Sequence, residues 1–260
     1  KTEPKEDVDC NGVKIRYFKA KYLFGVARSI NLIRELIIMK EMISIIHSHN
    51  TFHWLNIQLG KFSRYYSIPI FYHPHGALDN NLFNDFKFKS LKKRIYIKFF
   101  EAMNLKKAAG IFALTLEEKE QLMKLGLENN IHVLNNGINI PKGLPKKCES
   151  RKSLKVNLKK NIILYVGRIV AKKGLHIYLN ALKEVISNSP DTIFIIVGDY
   201  NQDLEYTDLL KLKINNLDLK DNVIWAGFLN EKNKPLYFVA ADIFIHASYS
   251  EGMAMSVLEA

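Results

Sequence analysis

The sequence predicts an α/β protein with two parallel-sheet domains, and three observations carry that reading. Short β-branched or aromatic runs alternate with longer helical patterns almost from end to end. The alternation breaks once, across Asn135–Lys160. The residues best suited to bind an anion stand where strands stop, which in parallel sheets is where ligands bind. Strand–helix–strand repetition implies sheets covered by helices on both faces.

In chain order, strands are expected near Val13–Phe18, Ile43–His47, Ile68–Tyr72, Gly110–Ala113 and Ile131–Leu134. Helical patterns occupy Val26–Lys40, Leu91–Lys107 and Leu116–Leu125. The break holds Asn-Asn-Gly, Pro141, Pro145, a Lys-rich run and a short helical pattern, the composition of a linker. Beyond it, strands are expected at Ile162–Val166, Thr192–Val197, Val223–Trp225 and Ile243–His246, with helices at Leu175–Ser187 and Leu204–Asn215. The reading gives one domain over residues 1–140 and a second over 141–260, facing each other across a cleft.

Composition narrows the class. Hydrophobic residues make up 48% and charged residues 25% of the 260, which suits a globular protein and excludes disordered or low-complexity chains. No apolar run approaches the ~18–20 residues needed to span a bilayer. The polar start does not read as a signal peptide, and the missing initiator Met points to a natural N-terminus upstream. Cys10 and Cys148 are far apart and form no redox or metal pair, as expected in a reducing compartment such as the cytoplasm. The formal charge of +12 divides as +8 before Ile140 and +4 after it, a field that favours anionic partners. Only seven of the basic residues are Arg, and the chain shows no aromatic-basic motif of the nucleic-acid-binding families.

Three constellations could carry chemistry. His47-Ser48-His49 and His73-Pro74-His75 end two expected strands. His75, between Pro74 and Gly76, reads as a catalytic or substrate-orienting side chain presented by a tight turn. His47, His53 and His73 read as packed or solvent-facing. A metal centre built from the two His-x-His pairs is the alternative, with no further ligand set beside them. Next, Val166-Gly167-Arg168 runs on to Lys172-Lys173-Gly174 ahead of a helix. Gly167 permits close backbone approach, and Arg168 and Lys173 add two cations, which together make a phosphate site without a Walker-type loop. Last, Glu251 and Glu259 stand eight residues apart after a strand, with a helical pattern expected from Gly252. On a helix that spacing rises roughly 12 Å, comparable with the reach from a sugar to the ribose of a nucleotide diphosphate sugar. Carboxylates accept hydrogen bonds from the paired hydroxyls of both rings. The alternative is a helix-start Glu followed by a solvated one.

The succession Asn136-Gly137-Ile138-Asn139, Gly167-Arg168, Lys172-Lys173-Gly174, Val197-Gly198-Asp199, Ala226-Gly227-Phe228 and Glu251-Gly252…Glu259-Ala260 resembles the retaining glycosyltransferases of family 4, the group 1 family with the GT-B fold. The resemblance implies two Rossmann-like domains and transfer of a sugar from a nucleotide-diphosphate donor, UDP- or GDP-linked, to a hydroxyl acceptor. The acceptor is expected to be a glycan or a lipid-linked molecule in cell-surface polysaccharide or glycolipid synthesis. Arg168 and Lys173 match the residues that contact the donor diphosphate. Glu251, Gly252 and Met253 match those that hold the transferred sugar, Glu259 the residue that meets the ribose, and His75 the histidine near the reacting centre. No cofactor or metal is implied. Ala247, Ala254 and Asn139 depart from the family's usual Pro, Pro and Asp. The glycine-rich first loop and the final donor-domain helices are not found, so the chain is expected to be a fragment of the enzyme.

Two further readings belong to the sequence. Lys87–Lys107 holds eight basic residues against Glu101, with Phe88, Tyr96, Phe99 and Phe100 interleaved. Such a helix either rests on an anionic membrane surface or packs its apolar stripe with its lysines solvated. The rival functions are a metal-dependent hydrolase using the His-x-His pairs and a non-enzymatic basic module that binds anionic surfaces.

Overall fold

The computed structural model describes residues 8–23, 26–51, 53–78, 100–127 and 130–260, and the chain divides into two units, Lys1–Asn136 and Gly137–Ala260. The first unit begins with two antiparallel pairs: β1 (Val8–Cys10) with β2 (Val13–Ile15), and β3 (Lys21–Leu23) with β4 (Val26–Arg28). The strand expected over Val13–Phe18 is therefore one arm of a hairpin. Asn11 and Gly12, at φ 55° and 84°, make the turn that matches strand twist, and Asp9 Oδ1 accepts from Gly12 N at 2.9 Å. The helix expected from Val26 starts later, as α1 (Ile30–Ile38), because Ser29 caps it by accepting from Leu32 N.

The main sheet of this unit is parallel and runs in sequence order: β5 (Ile46–His49), β6 (Ile70–His73), β7 (Gly110–Ala113) and β8 (Ile131–Val133). The helices between and after these strands are α2 (Trp54–Tyr66), α3 (Ala102–Lys106) and α4 (Leu116–Lys124). Strand alternation sends Ile46, Ile70, Tyr72, Ile111, Ala113 and Ile131 into one core. The opposite face carries His47, His49, Phe71, His73 and Phe112. Helix α2 went unread in the sequence because its apolar stripe is broken by Gly60. That glycine is needed for packing: a Cβ there would fall 1.9 Å from Asn104 Oδ1. Asn104 in turn donates to Tyr72 Oη at 2.6 Å, and Tyr72 Oη donates to Asn56 O at 3.0 Å. Most of Lys87–Lys107 lies outside the described residues.

The second unit opens with α5 (Lys147–Ser153), followed by β9 (Asn161–Val166), α6 (Leu175–Asn188), β10 (Thr192–Val197), α7 (Leu204–Asn216), β11 (Val223–Gly227), α8 (Lys234–Ala240), β12 (Ile243–Phe244) and α9 (Met255–Glu259). Its parallel sheet has the order β11-β10-β9-β12. Every residue of β10 is buried: Phe194 and Ile196 face the core under α6 and α7, and Ile193, Ile195 and Val197 face the core with α8. The strand order reverses between β9 and β12, so the crevice at their carboxyl ends is a topological switch point. Among the described residues, no helix is long and apolar enough to cross a membrane.

One polar lock closes the amino end of this sheet. Arg151, with 8% of its side chain exposed, pairs with Asp242 at 2.6 Å and also donates to Ala240 O and Leu158 O. Lys147 pairs with the other Asp242 oxygen at 2.6 Å, and Ile162 N donates to Asp242 Oδ2 at 2.7 Å. Burial works against the charge on Asp242, but these cationic and backbone donors hold its carboxyl below the usual aspartate range. Breaking a fully buried pair costs about 3–5 kcal/mol. With 33% of the Asp242 side chain in water, we expect Asp242→Asn to cost about 1–3 kcal/mol at pH 7. A lowered folded-state pKa gives stability that is present above the ordinary pKa of about 3.9 and is lost as pH falls through that region. Urea titrations followed by Trp225 fluorescence in a Trp54→Phe background should thus show the gap between wild type and Asp242→Asn shrinking towards pH 3. A gap that stays constant would remove Asp242 from the lock.

Candidate active site

The two loops that flank the switch point meet through a single ion pair. After β9 the chain passes Gly167 and Arg168, makes a 3-10 turn over Ala171–Lys173, and turns at Gly174 (φ 67°) into α6. After β12 it passes His246 and runs through Ser248–Glu251 before α9. Lys173, 8% exposed, donates through Nζ to Glu251 Oε1. Tyr249 N and Ser248 Oγ both donate to Lys172 O, at 3.1 Å each. A Cβ on Gly174 would lie 2.8 Å from Ala247 O, so the glycine admits the second loop as well as making the turn. Tyr249 Oη lies 3.2 Å from His176 Nε2, and His176 Nδ1 lies 2.8 Å from Tyr206 Oη, which ties the same loop to α6 and α7.

The electrostatics follow from this packing. Burial works against ionisation of Glu251, yet hydrogen bonds from Lys173 and Ser248 hold its carboxyl below the usual range. His246 Nε2 stands 3.5 Å from Glu251 Oε1. Burial, and then the Lys173 charge, lower the His246 pKa, so the imidazole is neutral at physiological pH. The two loops thus bring together a buried cation, a carboxylate and a neutral imidazole.

At the same edge of the sheet, a cavity of about 360 Å³ opens at the carboxyl ends of β9, β10 and β11. It is lined by Gly167, Arg168, Gly198, Asp199, Phe228 and Lys234, among others. Gly198 on its wall marks a close approach of two backbones: a Cβ there would fall 2.1 Å from Gly167 O. Arg168 forms no ion pair among the described residues, and its carbonyl is held by Tyr165 Oη at 2.8 Å. Lys234 pairs with Glu259 at 2.6 Å and with Glu231 at 3.0 Å. Burial works against the Lys234 charge, but both carboxylates raise its pKa overall.

Most of the expected donor-side residues therefore come together. Arg168 lines the cavity, Lys173 and Glu251 pair between the loops at the same sheet edge, and Glu259 reaches Lys234 on the cavity wall. Gly252 and Met253 follow Glu251 in the half-buried approach to α9. Helix α6 starts at Leu175 as expected, after left-handed Gly174, and Arg168 stands on the loop ahead of it. One detail of the sequence reading is corrected. The helix expected from Gly252 starts at Met255, because Ala254 is extended, so Glu251 and Glu259 do not share one helix. Sequence reasoning missed Lys234. The signal was Pro235, whose fixed φ suits the first turn of a helix and marks one opening after β11.

His75 belongs to the first unit. It sits at φ 57° beside Gly76 at φ 71°, after β6. Glu118, 4% exposed, fixes the turn by accepting from Gly76 N and Leu114 N, both at 2.6 Å. His75 Nε2 lies 2.8 Å from His49 Nδ1, and its ring stacks on His73 at 4.0 Å. Burial, followed by the neighbouring imidazoles of His75, His49 and His47, pushes the His73 pKa down to about 4. One ring nitrogen from each of His47, His49 and His73 can be chosen such that all lie within 4.8 Å of one another.

Comparison with known proteins agrees with this architecture. A family model described as Glycosyltransferase Family 4 matches residues 2–141, and one described as Glycosyl transferases group 1 matches residues 146–260. The chain is 28% identical over 262 residues to the UDP-Gal:alpha-D-GlcNAc-diphosphoundecaprenol alpha-1,3-galactosyltransferase of Escherichia coli, covering 93% of this chain and 63% of that protein. It is 31% identical over 111 residues to the alpha-monoglucosyldiacylglycerol synthase of Streptococcus pneumoniae, covering 43% of this chain and 24% of the synthase. Among solved structures, Anabaena HepE in complex with UDP and glucose superposes with a TM-score of 0.66 at 20% identity, over 88% of this chain and 59% of that one. Sucrose-phosphate synthase from Thermosynechococcus elongatus gives 0.74 at 16% identity, over 97% and 64%. These structures share the GT-B fold with the chain, which spans less than two thirds of each of these four proteins. With one family model over more than half of its residues and the companion model over most of the remainder, the chain belongs to glycosyltransferase family 4, the group 1 glycosyltransferases.

Proposed function

We propose that the protein transfers a sugar, with retention of configuration, from a UDP-sugar to a hydroxyl on a glycan or lipid-linked acceptor. The observation that carries this reading is the cavity at the carboxyl edge of the second sheet, with Arg168 on its wall and the Lys173–Glu251 pair in the loops at the same edge. Its volume suits a nucleotide. The relatives add support: the E. coli protein is named for a UDP-Gal donor and a diphosphoundecaprenol acceptor, the pneumococcal one for a glycolipid, and HepE is bound to UDP and glucose. Cell-surface polysaccharide or glycolipid synthesis is the setting these names support. The basic, aromatic-interleaved stretch Lys87–Lys107 suits an acceptor presented at an anionic membrane face on the cytoplasmic side.

Each residue then has a task. Arg168 and Lys173 neutralise charge that develops on the leaving diphosphate as the sugar C1–O bond breaks. A fixed cation in a partly dry site is worth most at that moment. We assign this work to the two side chains and to no metal. Glu251 accepts hydrogen bonds from the transferred sugar's hydroxyls, with Gly252 and Met253 lending backbone groups. Glu259 accepts from the ribose, and Lys234, paired with that carboxylate, keeps it aimed. His75 orients the acceptor. The new C1–O bond forms on the face the diphosphate leaves, and a diphosphate oxygen takes the acceptor's proton.

Two measurements test the assignment on the full-length enzyme. Arg168→Ala and Lys173→Ala should each lower kcat by about 10²–10³-fold, in the range seen for loss of one charge-stabilising donor. Unchanged kcat/KM for the donor would remove those residues from the site. Glu259→Ala should instead raise the donor KM about tenfold with kcat nearly unchanged, the pattern of lost uniform binding. A fall in kcat with KM constant would contradict the ribose role.

A further inference from the structure

The sheet face of the first unit opposite its core presents a histidine cluster that the sugar-transfer reading does not use. His47 and His49 project from β5 on the same side, and His73 projects from β6 with its Cα directly paired to that of His49. The ring centroids of His47 and His49 are 4.2 Å apart, and those of His49 and His73 are 5.6 Å apart. Both ring nitrogens of His73 are shut off from solvent and have no hydrogen-bond partner. A buried, unsatisfied imidazole is costly unless something else meets its lone pair.

We infer that His47, His49 and His73 form a binding site for a divalent transition-metal ion of the zinc class. Imidazole nitrogen is a preferred ligand of such ions, and three histidines plus one open position is an established zinc arrangement. Zinc–nitrogen bonds of 2.0–2.1 Å in a tetrahedron set the ligand atoms about 3.4 Å apart. The three nitrogens already lie within 4.8 Å. His47 and His49 are exposed, so rotation of their side chains can close the difference without moving β6.

The fourth histidine gives the site its outer support. His75 Nε2 lies 2.8 Å from His49 Nδ1. Hydrogen bonding at one ring nitrogen fixes which nitrogen is left to ligate. Here His49 donates from Nδ1 to His75 and turns Nε2 to the metal. His75 then accepts at Nε2 and carries its own proton on Nδ1. Metal binding would in this way set the tautomer of the histidine assigned to the acceptor. The site is built only from first-unit residues, so the inference does not rest on the donor-site reading.

The test uses the 260-residue chain, with any affinity tag removed and after dialysis against EDTA, titrated with Co²⁺ and with Zn²⁺ alone. We expect one equivalent to bind with Kd at or below about 1 µM. Co²⁺ should give visible ligand-field bands without a thiolate band from Cys10 or Cys148. His47→Gln and His49→Gln, both at exposed positions, should abolish the bands while the circular dichroism spectrum stays unchanged. His75→Ala should weaken binding about 10–100-fold, as loss of an outer hydrogen-bond partner does, and His132→Gln should leave it intact. Failure to bind at micromolar metal, a thiolate spectrum, or binding that survives the His47→Gln/His49→Gln double variant would overturn the proposal.

Discussion

The second unit is organised around a lysine that cannot stay charged and buried without a partner. Lys173 is 8% exposed, and an ammonium in that position is tolerated only when a carboxylate meets it. The carboxylate comes from Glu251, 78 residues further along, so the pair joins the loops on either side of the switch point. The other contacts follow from that closeness: the amide of Tyr249 and the hydroxyl of Ser248 share one carbonyl on Lys172, and Gly174 admits the backbone of Ala247. Under the proposed role, a phosphate reaching the crevice would meet a cation already dehydrated and aimed, and little reorganisation would accompany binding. The same pair brings two residues distant in sequence to one place on the sheet edge.

Side-chain-free positions bring two strand ends together at the crevice. Gly167 and Gly198 end adjacent strands, and their backbones approach so closely that any Cβ on Gly198 would strike the carbonyl of Gly167. The strand ends therefore pack backbone to backbone at the wall of the cavity. Below that level the sheet is closed on both faces by apolar cores.

How much of this was legible in the sequence varies with what enforces each feature. The strands of both parallel sheets could be read because burial demands unbroken β-branched or aromatic runs, as in Thr192–Val197. Arg168, Lys173, Glu251 and Glu259 could be read because their order along the chain is a family signature. The N-terminal hairpin was not legible although Asn11-Gly12 is a strong turn signal, since its strands of three residues each are too short to show a period. Helix α2 was missed because Gly60 lowers helix propensity, and its reason lies in Asn104, a contact no local pattern reveals. Lys234 was missed for a similar reason: its partner, Glu259, is 25 residues away, and only the fold brings them together. The delayed start of α9 was invisible because Gly252–Ala254 have a composition as suited to a helix entry as to an extended run.

The turn after β6 bears on what shaped this chain. His75 adopts a left-handed backbone conformation that costs a residue with a Cβ about 1 kcal/mol and costs glycine almost nothing. The neighbouring Gly76 takes the same kind of conformation without that penalty. The buried carboxylate of Glu118 holds the turn through the backbone of Gly76. What a glycine at position 75 could not supply is the ring, which meets His49 at 2.8 Å and stacks on His73 at 4.0 Å. The turn therefore accepts backbone strain at position 75 in exchange for a place in the row of imidazoles on that sheet face.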